Sequence, residues 1–153
     1  MSDNVFRPFE VDQHITAMSR YYAGKIGSRF FVELRDKGRI MGIKCAKCGK
    51  VYAPPRQMCG PCFHTMGESD MVEVGPLGTV VTFTRVEYDS AVAPRKAPFV
   101  YALVRLDGAD TALPHFLECA EGEVATGMRV EPVFAGERKG TILDINHFRP
   151  AAG

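Results

Sequence analysis

The chain has 153 residues, of which 46% are hydrophobic and 24% charged, and its formal net charge is +1. This length and this hydrophobic content are enough to bury a core, which excludes a disordered chain. The sequence contains neither an apolar run near the roughly 20 residues that span a bilayer nor the basic and apolar regions of a secretory signal. We therefore expect a cytoplasmic protein without membrane association.

Charge is distributed unevenly along the chain. Up to Asp70 there are 11 lysine and arginine residues and 7 acidic residues, a net charge of +4. The remainder has 8 lysine and arginine residues and 11 acidic residues, a net charge of −3. The basic excess peaks in a segment that has no acidic residue between its five cations, Arg39, Lys44, Lys47, Lys50 and Arg56. Two interpretations stay open: a solvated face beside a thiolate site, or a surface for an anionic partner.

Residues 10 to 38 predict two helices. The first carries apolar residues at steps of four, three and four, namely Val11, Ile15, Met18 and Tyr22. The second has an apolar face marked by Phe30, Phe31 and Leu34. We predict that Gly24 and Gly27 separate the two helices and that Gly38 ends the second. This segment is expected to serve as core or partner surface.

Two Cys-x-x-Cys pairs follow, Cys45 with Cys48 and Cys59 with Cys62, and ten residues separate them. Cysteines stay reduced in the cytoplasm, so such pairs indicate metal ligands before disulfides, and the odd fifth cysteine, Cys119, agrees with this. Two intervening residues allow a tight turn to aim both sulfurs at one tetrahedral zinc ion. Glycines after the ligands, Gly49 and Gly60, are expected to supply the unusual backbone angles of these turns.

Four thiolates fill the coordination sphere of zinc, so the predicted metal is structural rather than catalytic. An iron site has the same ligands, and the spacing does not distinguish the two metals. A redox Cys-x-x-Cys would need one pair to open a helix in a βαβ unit, and the sequence predicts no such unit. With four cysteines present, we expect His64 to be a surface residue rather than a ligand.

From Met71 onward the sequence predicts short strands separated by glycine-rich turns. The predicted strands are Met71 to Val74, Gly78 to Tyr88, Phe99 to Leu106, Thr111 to Cys119, Arg129 to Phe134 and Thr141 to Phe148. Five or six strands without intervening helices favour a small closed barrel of the OB type. Along the second strand we expect Val81, Phe83 and Arg85 on one face, and Val80, Thr82, Thr84 and Val86 on the other.

We find no set of residues in this sequence that is typical of a catalytic site. There is no Gly-x-Ser-x-Gly elbow and no phosphate-binding glycine loop. Cys119 and His115 are four residues apart in a predicted strand, which places them about 13 Å from each other along it. We therefore interpret Cys119 as a buried apolar residue.

Two segments suit anion binding. One is the proline-framed loop from Ala93 to Phe99, whose adjacent cations Arg95 and Lys96 could meet a phosphate or the carboxylates of a partner. The alternative is an ordinary solvated loop. The basic residues around the cysteines form the second candidate.

The ordered combination of these motifs resembles a known family. It comprises Arg29 to Cys45, Cys48-Gly49, Pro54-Pro55-Arg56, Cys59 and Cys62, Gly75-x-x-Gly78 to Thr84, Ala97-Pro98-Phe99 and Ala102 to Gly108. Over residues 25 to 148 the chain resembles the OB-fold proteins with a rubredoxin-like zinc ribbon. The resemblance implies a mainly β protein with domains at 1–38 (helical), 39–70 (zinc ribbon) and 71–153 (OB-fold barrel). Arg56 matches the family's Pro-Pro-Arg element, where it is expected to brace the ribbon against the barrel or a partner.

Members of that family are associated with acyl-CoA and pair with thiolase-like enzymes, as in the small subunit of benzoylsuccinyl-CoA thiolase. The resemblance implies a noncatalytic zinc-binding subunit of a thiolase-type acyl-CoA enzyme that acts in C–C cleavage or acyl transfer, with Arg95 and Lys96 as candidate CoA contacts. The alternative function is a single-stranded nucleic-acid-binding protein, since zinc ribbons and OB folds both serve that purpose. The net charge of −3 after Asp70 argues against a phosphate track.

Overall fold

The computed structural model describes residues 20–91, 93–120 and 122–152. Over these residues an α-helix, a three-stranded sheet and a closed five-stranded barrel follow one another along the chain. The helix is α1 (Gly24–Lys37), and the sheet contains β1 (Met41–Lys44), β2 (Val51–Tyr52) and β3 (Met71–Glu73). The barrel contains β4 (Gly78–Val86), β5 (Phe99–Leu106), β6 (Leu113–Leu117), β7 (Arg129–Phe134) and β8 (Ile145–Pro150).

Helix α1 forms because apolar residues recur every four positions and bury one face against the rest of the chain. These residues are Ile26, Phe30 and Leu34, all buried. The helix ends as predicted at Gly38, which has φ 62° and donates its N–H to the carbonyl of Leu34 at 3.1 Å. Within the described part of the chain, no helix is both long enough and apolar enough to cross a bilayer.

Of the two glycines predicted to separate the helices, one marks the start of α1 and the other does not. Gly24 is the first residue of α1, with φ 72°, and Gly27 lies inside the helix. An interior glycine costs a helix about 1 kcal/mol relative to alanine, and burial of three large side chains on one face outweighs this. The first predicted helix, around Val11, lies outside the described residues apart from Tyr22, which precedes α1 and is exposed.

The three-stranded sheet has the order β2-β1-β3, and both pairings are antiparallel. The strand predicted at Met71 to Val74 exists as β3, but it pairs with β1 in this sheet and not with the barrel. The barrel therefore has five strands.

The barrel confirms the predicted closed architecture. Its strand order is β4-β5-β6-β8-β7, and it closes where β4 pairs with β7. All of these pairings are antiparallel except that of β6 with β8. Two predicted strands begin too early in the sequence, because β6 starts at Leu113 and a 3₁₀ turn, Ile142–Asp144, precedes β8.

The prediction that Val80 shares a face with Thr82 is wrong because β4 contains a bulge. Val80 pairs with Val104 and Thr82 with Leu103, so Val81 is an extra residue. Val80 is consequently buried while Thr82 is exposed, although the simple pattern places both on one face. A bulge shifts the facing of every later residue in the strand.

Helix, sheet and barrel share one hydrophobic core. Its members include Phe30 from α1, Ala53 after β2, and Val104 and Phe148 from the barrel. Because these side chains contact one another across the element boundaries, the orientation of the sheet relative to the barrel is fixed by packing.

A strap of four hydrogen bonds reinforces that packing. The backbone N–H of Val51 donates to the side-chain carboxylate of Asp110 at 2.8 Å. In return, the carbonyl of Val51 accepts the backbone N–H of Asp110 at 2.9 Å. The hydroxyl of Thr111 accepts the N–H of Ala53 at 2.8 Å and donates to its carbonyl at 2.9 Å. The strap connects the cysteine-bearing segment directly to the loop between β5 and β6.

Candidate metal centre

The two Cys-x-x-Cys segments form turns with the same hydrogen-bond pattern. Cys45 donates its N–H to the carbonyl of Lys50 at 2.8 Å, and Cys59 donates to His64 at 3.0 Å. The carbonyl of each of these cysteines accepts the N–H of the residue four positions later. For Cys45 this residue is Gly49, at 2.8 Å, and for Cys59 it is Phe63, at 3.0 Å. Each turn therefore holds two cysteine side chains on one side of the backbone.

The residue four positions after the first cysteine has a left-handed backbone in both turns. Gly49 has φ 76°, as its predicted role requires, but in the second turn the corresponding residue is Phe63, with φ 53°. Gly60, to which the sequence assigned this conformation, is not among the residues with positive φ. Phe63 is 75% exposed, so burial of its ring does not explain its presence in a conformation that favours glycine.

The four sulfurs converge on one point. The Sγ atoms of Cys45, Cys48, Cys59 and Cys62 all lie within 4.8 Å of one another, and two of the distances, Cys45 to Cys62 and Cys48 to Cys59, are 3.5 Å. Four ligands at a Zn–S distance of about 2.3 Å in a tetrahedron lie about 3.8 Å from each other. The four cysteines are thus positioned to bind zinc, and their geometry fits a closed tetrathiolate site.

A tyrosine that sequence reasoning did not select contacts this cluster. The hydroxyl of Tyr52 accepts the N–H of Gly60 at 3.1 Å and donates to the sulfur of Cys59 at 3.2 Å. This contact lowers the pKa of the Cys59 thiol to about 6. The amide of His64 lowers the pKa of Cys62, but the neighbouring sulfurs outweigh it and raise that pKa to about 12. Tyr52 therefore favours the thiolate form of one ligand.

Two of the basic residues near the cysteines lie against the ring of Tyr52. The guanidinium of Arg56 is 4.4 Å from the ring centroid, and the ammonium of Lys50 is 5.8 Å from it. This contact of Arg56 lies within the ribbon, so the predicted role of Arg56 in bracing the ribbon against the barrel or a partner stays a prediction. Lys44 and Lys47 are exposed, while His64 is half-buried and uses its backbone carbonyl, as described, to hold the second turn.

The structure places Arg95 and Lys96 beside a cleft of about 770 Å³ at one side of the barrel. The guanidinium of Arg95 donates to Glu118 Oε1 at 2.5 Å and to the backbone and side-chain oxygens of Asn146 at 2.7 and 2.8 Å. Three of its five N–H donors are thus used among the described residues, which leaves two. Lys96 is exposed. Arg95 is therefore fixed in place beside the cleft, whereas Lys96 extends from the loop.

Cys119 and His115 have separate environments. Cys119 follows the end of β6 and borders the same cleft as Arg95, where it is only partly buried rather than buried as predicted. This partial burial raises the pKa of its thiol. His115 is buried within β6, where its Nδ1 accepts the N–H of Phe116 at 2.9 Å and its Nε2 donates to the carbonyl of Ile142 at 3.1 Å. Both ring nitrogens of His115 are therefore occupied by backbone partners.

Comparison with known proteins matches both parts of this architecture. A family model described as the ChsH2 rubredoxin-like zinc ribbon domain matches residues 32–65, and one described as the ChsH2 C-terminal OB-fold domain matches residues 71–135. Two curated relatives are described as DUF35 domain-containing scaffold proteins. The one from Methanocaldococcus jannaschii is 27% identical over 110 residues, which cover 72% of this chain and 77% of that protein. The one from Methanothermobacter thermautotrophicus is 25% identical over 111 residues, which cover 72% of this chain and 83% of that protein.

Two solved structures have a similar fold. One is a DUF35-family protein of unknown function from Sulfolobus solfataricus, with a TM-score of 0.61 and 25% identity over 83% of this chain and 84% of the other. The second is a chain of an Ltp2-ChsH2(DUF35) aldolase, with a TM-score of 0.61 and 26% identity over 82% of this chain and 94% of the other. The chain belongs to the family of OB-fold proteins with a rubredoxin-like zinc ribbon, represented by ChsH2 and the DUF35 proteins.

Proposed function

We propose that this chain is a noncatalytic accessory subunit of a thiolase-type acyl-CoA enzyme that cleaves C–C bonds or transfers acyl groups. The observation that carries the proposal is the closed set of four thiolates, because a metal held by four sulfurs has no position left for substrate or water. The metal then shapes the ribbon, and the reactive groups come from the partner. The similarity to a chain of an Ltp2-ChsH2(DUF35) aldolase supports association with an enzyme subunit.

The shared core and the strap suit a scaffold. A subunit that aligns two surfaces of a partner needs a fixed angle between its own parts. Here the hydrogen bonds from Thr111 and Asp110 and the packing of Ala53 hold the ribbon against the barrel. We therefore expect ribbon and barrel to bind the partner as one rigid unit.

The Arg95 and Lys96 pair supplies positive charge for the CoA part of the substrate. The ion pair with Glu118 and the bonds to Asn146 orient the Arg95 guanidinium, so its two remaining N–H groups point in a direction set by the fold. An oriented guanidinium binds phosphate better than a mobile one because less side-chain entropy is lost. Lys96 would add a second, adjustable contact.

Isolation of the tagged full-length chain from its native cells tests the proposal. We expect a thiolase-like polypeptide to copurify at a fixed ratio, with acyl-CoA turnover by the complex and none by the chain alone. Cys45→Ser should lose both the metal and the partner, whereas Cys119→Ser, which leaves the four ligands intact, should keep both. Turnover by the lone chain, or assembly retained by Cys45→Ser without bound metal, would contradict the proposal.

Single-stranded nucleic-acid binding is the rival function. A phosphate track needs accessible cations, yet three other barrel arginines are paired with carboxylates: Arg85 with Glu87, Arg129 with Asp107 and Arg149 with Glu131. This pairing argues against an extended track on the barrel. Tight binding of a single-stranded oligonucleotide, with an affinity that falls steeply as salt rises, would favour the rival.

A further inference from the structure

The second cysteine turn carries an aromatic side chain whose presence the fold does not explain. Phe63 occupies the left-handed position of this turn, whereas Gly49 fills the same position of the first turn. Glycine adopts this conformation without the steric cost that a β-carbon adds. The ring of Phe63 is 75% exposed, so burial within the chain does not offset that cost. A residue other than glycine in such a conformation is typical of a functional site.

A second exposed apolar side chain lies on the same turn. Met58 is 53% exposed and directly precedes Cys59, just as Phe63 directly follows Cys62. An isolated β-bridge between Met58 and Thr65 closes the base of this turn. Two large apolar side chains that stay exposed on one short element indicate a contact surface.

The two cysteine turns also carry an excess of positive charge. Residues 40–67 contain no acidic residue and four cations, namely Lys44, Lys47, Lys50 and Arg56. A zinc ion neutralises two of its four thiolates, so the metal centre offsets about two of these cations and leaves about two positive charges. Within the part of the chain that the structure describes, none of the four forms an ion pair with a carboxylate.

The cationic and the apolar side chains lie at the same end of the ribbon. The two turns meet at the metal site, where the sulfurs of Cys48 and Cys59 are 3.5 Å apart. Lys47 directly precedes the first of these cysteines, and Met58 directly precedes the second. We call the exposed side chains of the two turns the ribbon tip, namely Lys44, Lys47, Met58 and Phe63. Such a surface is complementary to an acidic segment that bears an apolar pocket.

We propose that the ribbon tip is the contact surface for the enzyme subunit, which presents to it an acidic segment with an apolar pocket for the ring of Phe63. Lys44 and Lys47 pair with the carboxylates of that segment. The inference rests on the proposed function as an accessory subunit, and it adds where the ribbon binds the partner and which chemistry the partner presents there. It also explains why assembly needs the metal, because the four thiolates hold the two turns that form the tip.

The affinity of the zinc-loaded full-length chain for the copurified enzyme subunit, measured by surface plasmon resonance, tests this inference. Phe63→Gly should lower the affinity by roughly tenfold or more, as is typical when a central aromatic contact is lost. The same change should leave zinc content and stability at the wild-type level or above, because glycine favours the φ of 53° and the ring is exposed. A purely structural role of the ring would instead lower stability and affinity together.

Two further variants make this comparison specific. Phe63→Leu keeps an apolar side chain at the same position and should lose less affinity than Phe63→Gly. Tyr88→Ala is the matched control, since Tyr88 is also an aromatic residue with 75% exposure but lies outside the ribbon. This control should retain the wild-type affinity.

Charge gives a second, independent measurement. The association rate of the wild-type chain with the enzyme subunit should fall by roughly tenfold or more between about 50 and 500 mM salt, because salt screens the attraction between the two surfaces. The double variant Lys44→Gln and Lys47→Gln should lose most of this dependence while it keeps its zinc. Lys139→Gln, at a barrel lysine whose side chain is 67% exposed, should retain it.

With an enzyme subunit present in the isolated complex, unchanged affinity of Phe63→Gly or an association rate independent of salt would overturn the inference and leave the proposed function intact. If the variants of the ribbon tip lose affinity for a single-stranded oligonucleotide and not for the enzyme subunit, the tip binds nucleic acid and the inference is wrong. If no enzyme subunit copurifies with the wild-type chain, the proposed function fails and the inference fails with it.

Discussion

The hydroxyl of Tyr52 joins the second cysteine turn to the three-stranded sheet, since it donates to the sulfur of Cys59 while it accepts the amide of Gly60. Tyr52 itself is buried, and its position at the end of β2 is set by antiparallel pairing with Ile43 in β1. A hydrogen bond to a coordinating sulfur orients the ligand and tunes its charge. The short sheet therefore has a direct effect on the metal centre.

Tyr52→Phe should weaken zinc binding by about tenfold or more, because contacts of this kind to metal ligands typically contribute 10- to 100-fold in affinity. The phenyl ring still fills its buried site, so we expect the fold to remain intact. Competition with a chromogenic chelator measures the effect. Tyr88→Phe, which removes a hydroxyl from a tyrosine 75% exposed, is the control. Equal zinc affinities for the two variants would show that the hydroxyl does not support the site.

At position 63 we expect glycine to be more stable than alanine by about 0.5 to 1 kcal/mol. The left-handed conformation costs a residue with a β-carbon about 1 to 2 kcal/mol, and the greater freedom of glycine in the unfolded chain offsets part of this. Chemical denaturation of zinc-loaded Phe63→Gly and Phe63→Ala chains gives the comparison, in which both variants lose the exposed ring. If the alanine variant is as stable as the glycine variant, the φ of 53° at this residue carries no strain.

Thr111→Val should destabilise the chain by about 2 kcal/mol, because it removes both hydrogen bonds to the buried backbone of Ala53 without changing the side-chain volume much. The free energy of unfolding, measured by urea denaturation, reports the loss. Thr65→Val in the ribbon is a suitable control since Thr65 is exposed. A similar small change for both variants would mean that packing alone holds the ribbon to the barrel.

Glu33 should make stability depend on pH in the acidic range. Its carboxylate is buried and contacts Arg29, Lys37 and Arg39, and the hydrogen bond from Arg39 holds its pKa below the ordinary value of 4.5. Because the folded pKa is the lower one, the stabilisation is fully present above about pH 4.5 and is lost as the pH falls through the folded pKa.

The difference in unfolding free energy between the wild-type and Glu33→Gln chains, measured at successive pH values, isolates this effect from protonation of the thiolates. We expect the difference to stay constant from pH 7 to about 5 and to shrink below it. Glu137→Gln, at an 83% exposed carboxylate, should show no comparable change. A difference that grows as the pH falls would contradict the sign of the effect.

The features that the sequence predicted correctly are those encoded by local spacing. The Cys-x-x-Cys pairs specify their turns within a few residues, and Gly38 ends α1 through its own backbone conformation. The features that it missed depend on contacts between distant residues. The bulge at Val81 is set by pairing with β5, and the contact of Thr111 with Ala53 joins residues 58 positions apart.

Phe63 and Gly27 show a second reason for the errors. Residue preference predicts glycine at each left-handed position and at each helix boundary. However, a hydrogen-bonded turn imposes the left-handed angle on Phe63, and a buried face keeps Gly27 helical. The preference of a single residue for one backbone conformation is worth about 1 kcal/mol, and the free energy of tertiary contacts exceeds it. The glycines were therefore less reliable guides than the cysteines.

The metal content of the purified full-length chain tests the central claim most directly. After extensive dialysis, elemental analysis should find one zinc ion for each chain, because the four converging sulfurs form one tetrahedral site. A combined zinc and iron content well below one ion per chain in correctly folded protein would contradict the account.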